Sequence, residues 1–368
     1  MKRIVLGVVL AIAIPAVALC GSLELDEVLE IQVLDDQMAR SATLTSDGYY
    51  IVAGDGNTRS EAVLVKAMLG GAMGVVWERV YSDTFARMFS SVIELNDGGI
   101  VAGGSAFYSI YAGDENVWLV KVDRQGDTLW QKQYGLTSEQ NDVYAMAATS
   151  DGGFIVCALK LPHYDGGAAT WLLKLDADGN QIWEKVFTGG VGLSILQTSD
   201  GGYLITGGQA VAQSLYSYVW ALRLDAQGNA VWEQVYTDLE IYVQLSNQVA
   251  SAPNGDFVIA GKEFLLRIDP SGQVVWNRAF PNRLFDTVAF TDDGKLAVGG
   301  AYNDDYFFDH PYVALLSDDA LTVLWEDIEL LSGWSAQVLP DPYGGITIAA
   351  TISGITLTDE IILARFWE

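Results

Sequence analysis

The stretch Tyr302 to Tyr312, YNDDYFFDHPY, gathers Tyr302, Asp304, Asp305, Tyr306, Phe308, Asp309 and His310 into one short segment. Tyr and Phe rings beside carboxylates suit stacking on sugar rings or anchoring a protein partner. The same carboxylates suit a hard cation such as calcium, although they lack the regular ligand spacing of an EF-hand loop. Three further stretches carry aromatic side chains of the same kind: Tyr108 and Tyr111 in AFYSIYAGDEN, Tyr164 in LPHYDGGAAT, and Tyr216 in QAVAQSLYSY.

Catalytic groupings are sparse. The two histidines, His163 and His310, lie in different stretches, and no His-x-x-x-His or Cys-His grouping offers zinc or haem ligation. There is no Gly-x-Ser-x-Gly elbow and no phosphate-cradling glycine loop. Glycoside cleavage needs only two facing carboxylates, so it is the enzymatic chemistry these residue types leave open. The formal charge of −27 repels nucleic acid and anionic lipid. Cys157 stands alone in an apolar run, so no disulfide is expected in the mature domain.

These stretches interrupt a repeat. WLLKLDADGNQIWEKVF, from Trp171 to Phe187, recurs as WLVKVDRQGDTLWQKQY from Trp118, WALRLDAQGNAVWEQVY from Trp220 and FLLRIDPSGQVVWNRAF from Phe264. Each copy is an apolar run, Asp-x-x-Gly, and a second β-rich run carrying Trp, the pattern of a hairpin. A second hairpin precedes each copy, as in TSDGGFIVCA from Thr149 and TSDGGYLITG from Thr198. Its turn glycines are Gly48, Gly98, Gly152, Gly201, Gly255, Gly294 and Gly344, spaced by 50, 54, 49, 54, 39 and 50 residues.

Two hairpins per repeat predict four-stranded antiparallel sheets, and radial stacking covers the faces that one such sheet leaves bare. The expected fold is all-β: a seven-bladed β-propeller. The last unit lacks a fourth strand of its own, and Val28 to Leu34 near the start is an unassigned β-like segment. Ring closure by an N-terminal strand completing the last blade satisfies both open edges.

Repetition separates scaffold from site. The fourth-strand tryptophans Trp77, Trp130, Trp183, Trp232, Trp276 and Trp325 are expected to wedge between neighbouring sheets. The third-strand bases Lys66, Lys121, Lys174, Arg223, Arg267 and Arg365 are expected to form cross-strand ion pairs with the acids that follow Trp, such as Glu78, Glu184, Glu233 and Glu326, or to lay their stems over Trp. DADGN and DRQGD read as hairpin turns, because the distal Glu of a calcium loop is missing. The non-repeating stretches lie mainly between second and third strands, so they emerge at the end opposite the tight turns. A binding site is expected there, on Tyr302, Asp304, Asp305, Tyr306, Phe308, His310, Tyr108, Tyr111, Tyr164 and Tyr216.

At the start, Lys2 and Arg3 precede an apolar run from Ile4 to Leu19, which reads as a secretory signal over residues 1–20. Cleavage after Ala18 and lipoprotein-type cleavage before Cys20 are both open. Residues 21–368 then form one domain, secreted or held in the cell envelope, touching membrane only through a lipid at Cys20. Without Lys2 and Arg3 the net charge is −29.

The motifs Trp-Leu-x-Lys-x-Asp-x-x-Gly-x-x-x-Trp and Thr-Ser-Asp-Gly-Gly-Tyr/Phe-x-Ile/Val resemble the tandem β-propeller repeats of many secreted and cell-surface bacterial proteins. More distantly, the Leu-Asp-x-x-Gly-x-x-x-Trp part resembles quinoprotein-like propellers, which include quinone dehydrogenases and an outer-membrane assembly scaffold lipoprotein. The dehydrogenases imply a vicinal disulfide, which a single Cys157 does not provide. The family's repeat motifs imply the fold and carry no site; the loop residues themselves lead to the expectation of a binding scaffold for a protein or glycan, monomeric, with no cofactor unless calcium sits on the acidic loop. The competing class is a carboxylate-dependent carbohydrate-active enzyme.

Overall fold

The computed structural model describes residues 24–31, 37–56, 61–70, 73–82, 87–107, 115–135, 139–162, 167–210, 216–242, 248–303, 309–327, 333–341, 345–353 and 359–367. Cys20, Tyr108, Tyr111, Tyr164, Asp304, Asp305, Tyr306 and Phe308 lie outside the described residues.

After β1 (Glu24–Ile31), the chain runs as successive antiparallel meanders. The first is β2 (Gln37–Leu44), β3 (Tyr50–Gly56), β4 (Glu61–Met68) and β5 (Gly74–Ser82). The second is β6 (Arg87–Glu94), β7 (Ile100–Phe107), β8 (Glu115–Val122) and β9 (Thr128–Tyr134). A short connector strand, β10 (Glu139–Gln140), leads to β11 (Val143–Ala148), β12 (Phe154–Pro162), β13 (Ala169–Leu175) and β14 (Gln181–Phe187). Next come β15 (Val191–Gln197), β16 (Tyr203–Ala210), β17 (Tyr216–Leu224) and β18 (Ala230–Tyr242).

One six-stranded sheet follows: β19 (Val249–Ser251), β20 (Phe257–Ile268), β21 (Val274–Phe290), β22 (Leu296–Asn303), β23 (Asp309–Leu316) and β24 (Val323–Asp327). Here one meander flows into the next. β20 carries a reversal at Glu263 (φ 60°), and β21 another at Asn282 (φ 64°), with Glu263 Oε1 accepting from Asn282 N–H at 2.9 Å. The first half of β21 pairs with β20 and the second half with β22. Last come β25 (Gly333–Pro340), β26 (Ile346–Ser353) and β27 (Asp359–Trp367), and β27 takes β1 as its outer neighbour, with Glu24 opposite Trp367 and Ile31 opposite Ile361.

The expectation of purely antiparallel sheets is corrected at β10. Gln140 pairs in parallel with Glu115 while β10 also pairs antiparallel with β12, which fuses two meanders into one nine-stranded sheet. The connector needs partners for its backbone, and Asn141 N–H finds the Glu115 carbonyl at 2.9 Å.

Burial explains the repeat's two halves. Third strands are covered on both faces, so β13 is buried along its whole length and reads as the nearly unbroken apolar run ATWLLKL. Fourth strands are outermost, and β14 alternates exposed and half-buried residues. The fourth-strand tryptophans are half-buried, and each packs on a cluster drawn from its own meander and the next, as a wedge between neighbouring sheets does. Their rings sit on the Asp-x-x-Gly turn of the following meander: a Cβ on Gly126 would lie 2.8 Å from the Trp77 ring, and one on Gly228 2.9 Å from Trp183. Trp77 and Trp232 Nε1–H donate to the carbonyls of Arg124 and Pro270, both at 3.0 Å. Among the described residues, the buried tryptophans are the third-strand Trp118, Trp171 and Trp220.

The repeated base is corrected as well. Its partner is the aspartate of the other hairpin turn, at 2.9 Å for Lys66–Asp47, 2.6 Å for Lys121–Asp97, 2.9 Å for Lys174–Asp151 and 2.6 Å for Arg223–Asp200. The Trp-following acids are engaged elsewhere, Glu184 with Trp171 Nε1–H at 3.1 Å and Glu233 with Trp220 Nε1–H at 2.7 Å. Partial burial works to raise the Asp47 and Asp151 carboxyls, but hydrogen bonds from the neighbouring Thr45 or Thr149 and from the lysine outweigh it. Both lie below the ordinary carboxylate value.

Where the Asp-x-x-Gly turn glycine is replaced, the backbone keeps its shape: Ala320 sits at φ 53°, the position that Gly272 fills at φ 84°. An L-residue is strained there, so Ala320→Gly is expected to raise stability by about 1 kcal/mol. Denaturant unfolding would check it as a higher midpoint at unchanged slope.

Candidate functional site

Each meander puts its two tight turns at one end and its second-to-third-strand loop, with the connector to the next unit, at the other. At this loop end β17 and β18 extend as a ladder, pairing Tyr216 with Tyr242 and Tyr218 with Glu240. The sheet carrying β20 is low by comparison, because its second and third strands join at Lys262–Glu263 with no loop.

Of the sequence-predicted binding residues, the structure describes Tyr302 and places the backbones of His310 and Tyr216. Tyr302 and His310 are direct cross-strand partners in β22 and β23. Tyr302 is half-buried, packed on the core beside Phe285 and Tyr312. The Arg283 guanidinium lies 5.6 Å from its ring centre and 5.3 Å from that of Tyr312, while donating to Glu326 at 3.2 Å. This aromatic therefore folds down onto its own sheet. Tyr216 is on a different sheet from Tyr302 and His310.

What the innermost strands enclose is a central channel of about 680 Å³. Its lining comes mainly from β2, β6, β11, β15, β19, the second half of β21, and β25, with Glu115 of β8, Gln140 of β10 and Ala349 of β26. Several neighbouring inner strands are tied through a side-chain acceptor: Val92 N–H to Ser41 Oγ at 3.0 Å, Met146 N–H to Ser91 Oγ at 3.1 Å, and Val249 N–H to Ser194 Oγ at 3.3 Å. Val288 N–H to Gln248 Oε1 at 3.1 Å and Ala42 N–H to Gln337 Oε1 at 2.5 Å continue the series, the latter joining the last meander to the first.

The channel side chains that carry chemistry are Arg40, Glu115, Gln140, Asp142, Tyr144 and Asp286. Arg40 Nε is 2.7 Å from the buried Asp55 carboxylate. Asp142 accepts from the Ser105 hydroxyl. Tyr144 is 38 % exposed. Desolvation by burial, followed by the charges of Asp142, Cys157 and Glu115 in that order, pushes its phenol up to about 12.

Sequence reasoning missed this set because it looked for aromatic loops. The inner-strand bulge position itself, occupied by Arg40, Ser90, Tyr144, Leu193 and Asp286, changes residue type from repeat to repeat, but so do its neighbours, and it gave no distinct signal.

No protein-family model matches the chain, and no curated protein sequence matches it. Its fold has clear relatives among solved structures. The WD40 β-propeller domain of Doa1 is similar over 95 % of this chain and 97 % of that one, with TM-score 0.61 at 12 % identity. The RRP9 WD40 repeats align over 94 % and 100 %, with TM-score 0.59 at 9 % identity. A protein of unknown function from Dyadobacter fermentans aligns over 94 % and 98 %, with TM-score 0.55 at 12 % identity. At these identities the likeness is one of fold: the chain is an all-β propeller, similar in architecture to WD40 domains.

Proposed function

We propose that this chain is a seven-bladed propeller of the cell envelope or extracellular space that acts as a monomeric interaction scaffold, presenting its loop end to a protein or glycan. The observation that carries the reading is the division of labour between the two ends. The turn end is built from recurring ion pairs and turn-on-Trp contacts, whereas the loop end differs from unit to unit in length and side chains. Inner strands contributed by seven consecutive units, with the last tied to the first through Gln337 and Ala42, support the blade number. The N-terminal signal, with cleavage after Ala18 or before Cys20, supports export.

The test is retention of the purified protein on immobilised glycans, with and without calcium, against a Tyr306→Ala/Phe308→Ala variant. Retention lost in the variant supports a glycan site on the loop end. Retention in neither moves the partner to protein, to be captured by cross-linking in the native envelope. Turnover of a retained glycan, abolished when one channel carboxylate becomes its amide, would replace the scaffold reading with the enzymatic one.

A further inference from the structure

One hairpin turn is chemically unlike its counterparts. Asp97, Asp151 and Asp200 each accept the N–H two residues on, from Gly99 at 2.8 Å, Gly153 at 3.0 Å and Gly202 at 3.2 Å, and each pairs with its third-strand base. In the turn from Ala252 to Asp256, APNGD, the same place is taken by Asn254, and the anion has moved to Asp256. Asn254 Oδ1 accepts from Asp256 N–H at 3.1 Å and from Arg267 Nη2 at 2.9 Å, while Asn254 Nδ2–H donates to Asp256 Oδ2 at 2.9 Å. Arg267 completes the clasp, with Nε 2.9 Å from Asp256 Oδ2 and Nη1 2.9 Å from Asp318 Oδ1.

The exchange creates Asn254-Gly255, the one Asn-Gly step in the chain. Glycine has no Cβ to shield its nitrogen, so the Gly255 main-chain amide is a competent nucleophile towards the Asn254 side-chain carbonyl carbon. Asn254 is also exposed, which gives water access to the turn. Two features of the fold oppose the attack. Gly255 N–H is committed to the Ala252 carbonyl at 2.9 Å, and the carboxamide is pinned by its bonds to Asp256 and Arg267.

We propose that Asn254 is a deamidation site of this protein, held closed by the Asp256–Arg267 clasp and released when the turn opens. The Gly255 nitrogen gives up its proton and bonds to Asn254 Cγ, the Cγ–Nδ2 bond breaks, and the amide leaves as ammonia. One water then opens the cyclic imide, either at Cγ to give aspartate or at the main-chain carbonyl to give isoaspartate. Each product sets a second carboxylate against Asp256, where an amide N–H now donates, and like charges so close repel. Isoaspartate also lengthens the backbone inside a turn that Ala252 N–H closes on the Asp256 carbonyl at 2.8 Å. The change runs one way and leaves the turn looser than before.

Peptide mapping by mass spectrometry, with enzymatic detection of isoaspartate, tests this on the purified protein at mildly alkaline pH, native and in urea. In urea Asn254 is expected to convert ahead of Asn180 and Asn229, which precede Gln181 and Ala230. Native protein should convert at Asn254 slower by about tenfold or more, because the reaction waits on local opening. Asp256→Ser frees Nδ2 and leaves Arg267 its Asp318 partner, so well below the unfolding transition it should convert severalfold faster than the parent, with no change of rate in urea. Gly255→Ala, whose Cβ meets no atom within 4 Å, should slow conversion in urea by about tenfold or more, a comparison that does not depend on folding. The proposal is overturned if Asn180 or Asn229 converts first in urea, if native and unfolded chains convert equally fast, if Asp256→Ser leaves the native rate unchanged, or if Gly255→Ala converts as fast as the parent in urea. This turn lies at the end opposite the loops, so none of these outcomes bears on glycan or protein binding there.

Discussion

A chain from which Glu24–Ile31 is deleted is expected to lose its single cooperative unfolding transition and to associate in solution. β1 satisfies the whole outer edge of β27, with pairs from Glu24–Trp367 to Ile31–Ile361. Ile31 is fully buried, in a cluster that joins Tyr50, Val52, Val63 and Val65 of the first meander to Ala349, Ile361 and Leu363 of the last. Removing the strand opens that cluster and leaves a long, unprotected β27 edge, which is a template for pairing with another chain. Beside it the first meander keeps its polar clasp, Tyr50 hydroxyl to Asp341 at 3.2 Å and to Thr347 at 2.9 Å, so the remaining sheets should hold native-like circular dichroism at low temperature. Calorimetry should show a broadened, lower transition, and light scattering should show growth with concentration. A sharp transition within a few degrees of the parent would mean that the ring does not depend on this closure.

Gly104→Ala is expected to be among the most damaging single substitutions, costing about 4 kcal/mol or more. The position lies opposite the bulge of β6, pairing with Phe89. A Cβ there would stand 1.8 Å from the Met88 carbonyl oxygen, a backbone atom that cannot swing aside. The same approach recurs at Gly54 with Met38, at Gly207 with Val191 and at Gly300 with Leu284. By contrast Gly152→Ala meets no atom within 4 Å and bears only the strain of φ 86°, so it should cost about 1 kcal/mol. Urea unfolding of the two variants side by side would check the ranking. Equal losses would mean that β6 can give way and that the bulge is soft.

The strand-turn architecture was legible because each hairpin turn repeats a physical requirement. Asp-Gly and Asp-x-x-Gly recur at the hairpin turns where φ is positive, and Gly48, Gly98, Gly126, Gly152, Gly179 and Gly201 all lie between 73° and 86°. Closure was legible from a missing fourth strand. The place of Trp between neighbouring sheets was legible, but its depth was not, because pattern shows recurrence and not burial. Trp118 and Trp183 both recur, yet one is fully buried and the other caps a neighbour's turn. The base's partner was misread because adjacency in sequence favoured Glu184, while folding brings the Asp151 turn beside Lys174 from 23 residues away. The channel was hidden for another reason. Bulges such as that at Tyr144 leave no composition signal, and the glycine pairs that accommodate them, Gly103-Gly104 and Gly207-Gly208, read as ordinary strand residues until a carbonyl is seen against them.

The strand that closes the ring is also the one nearest the N-terminus, and its direction settles how the molecule could be held. β1 starts beside Trp367, at the turn end, and runs towards the loop end. Whatever precedes Glu24 therefore leaves from the turn end. A lipid on Cys20 would have only Gly21, Ser22 and Leu23 between it and that strand, a reach of roughly 10 Å. The acidic turns would then look down at the bilayer and the variable loops would look away from it, like a dish standing on its rim's underside with its open face to whatever passes.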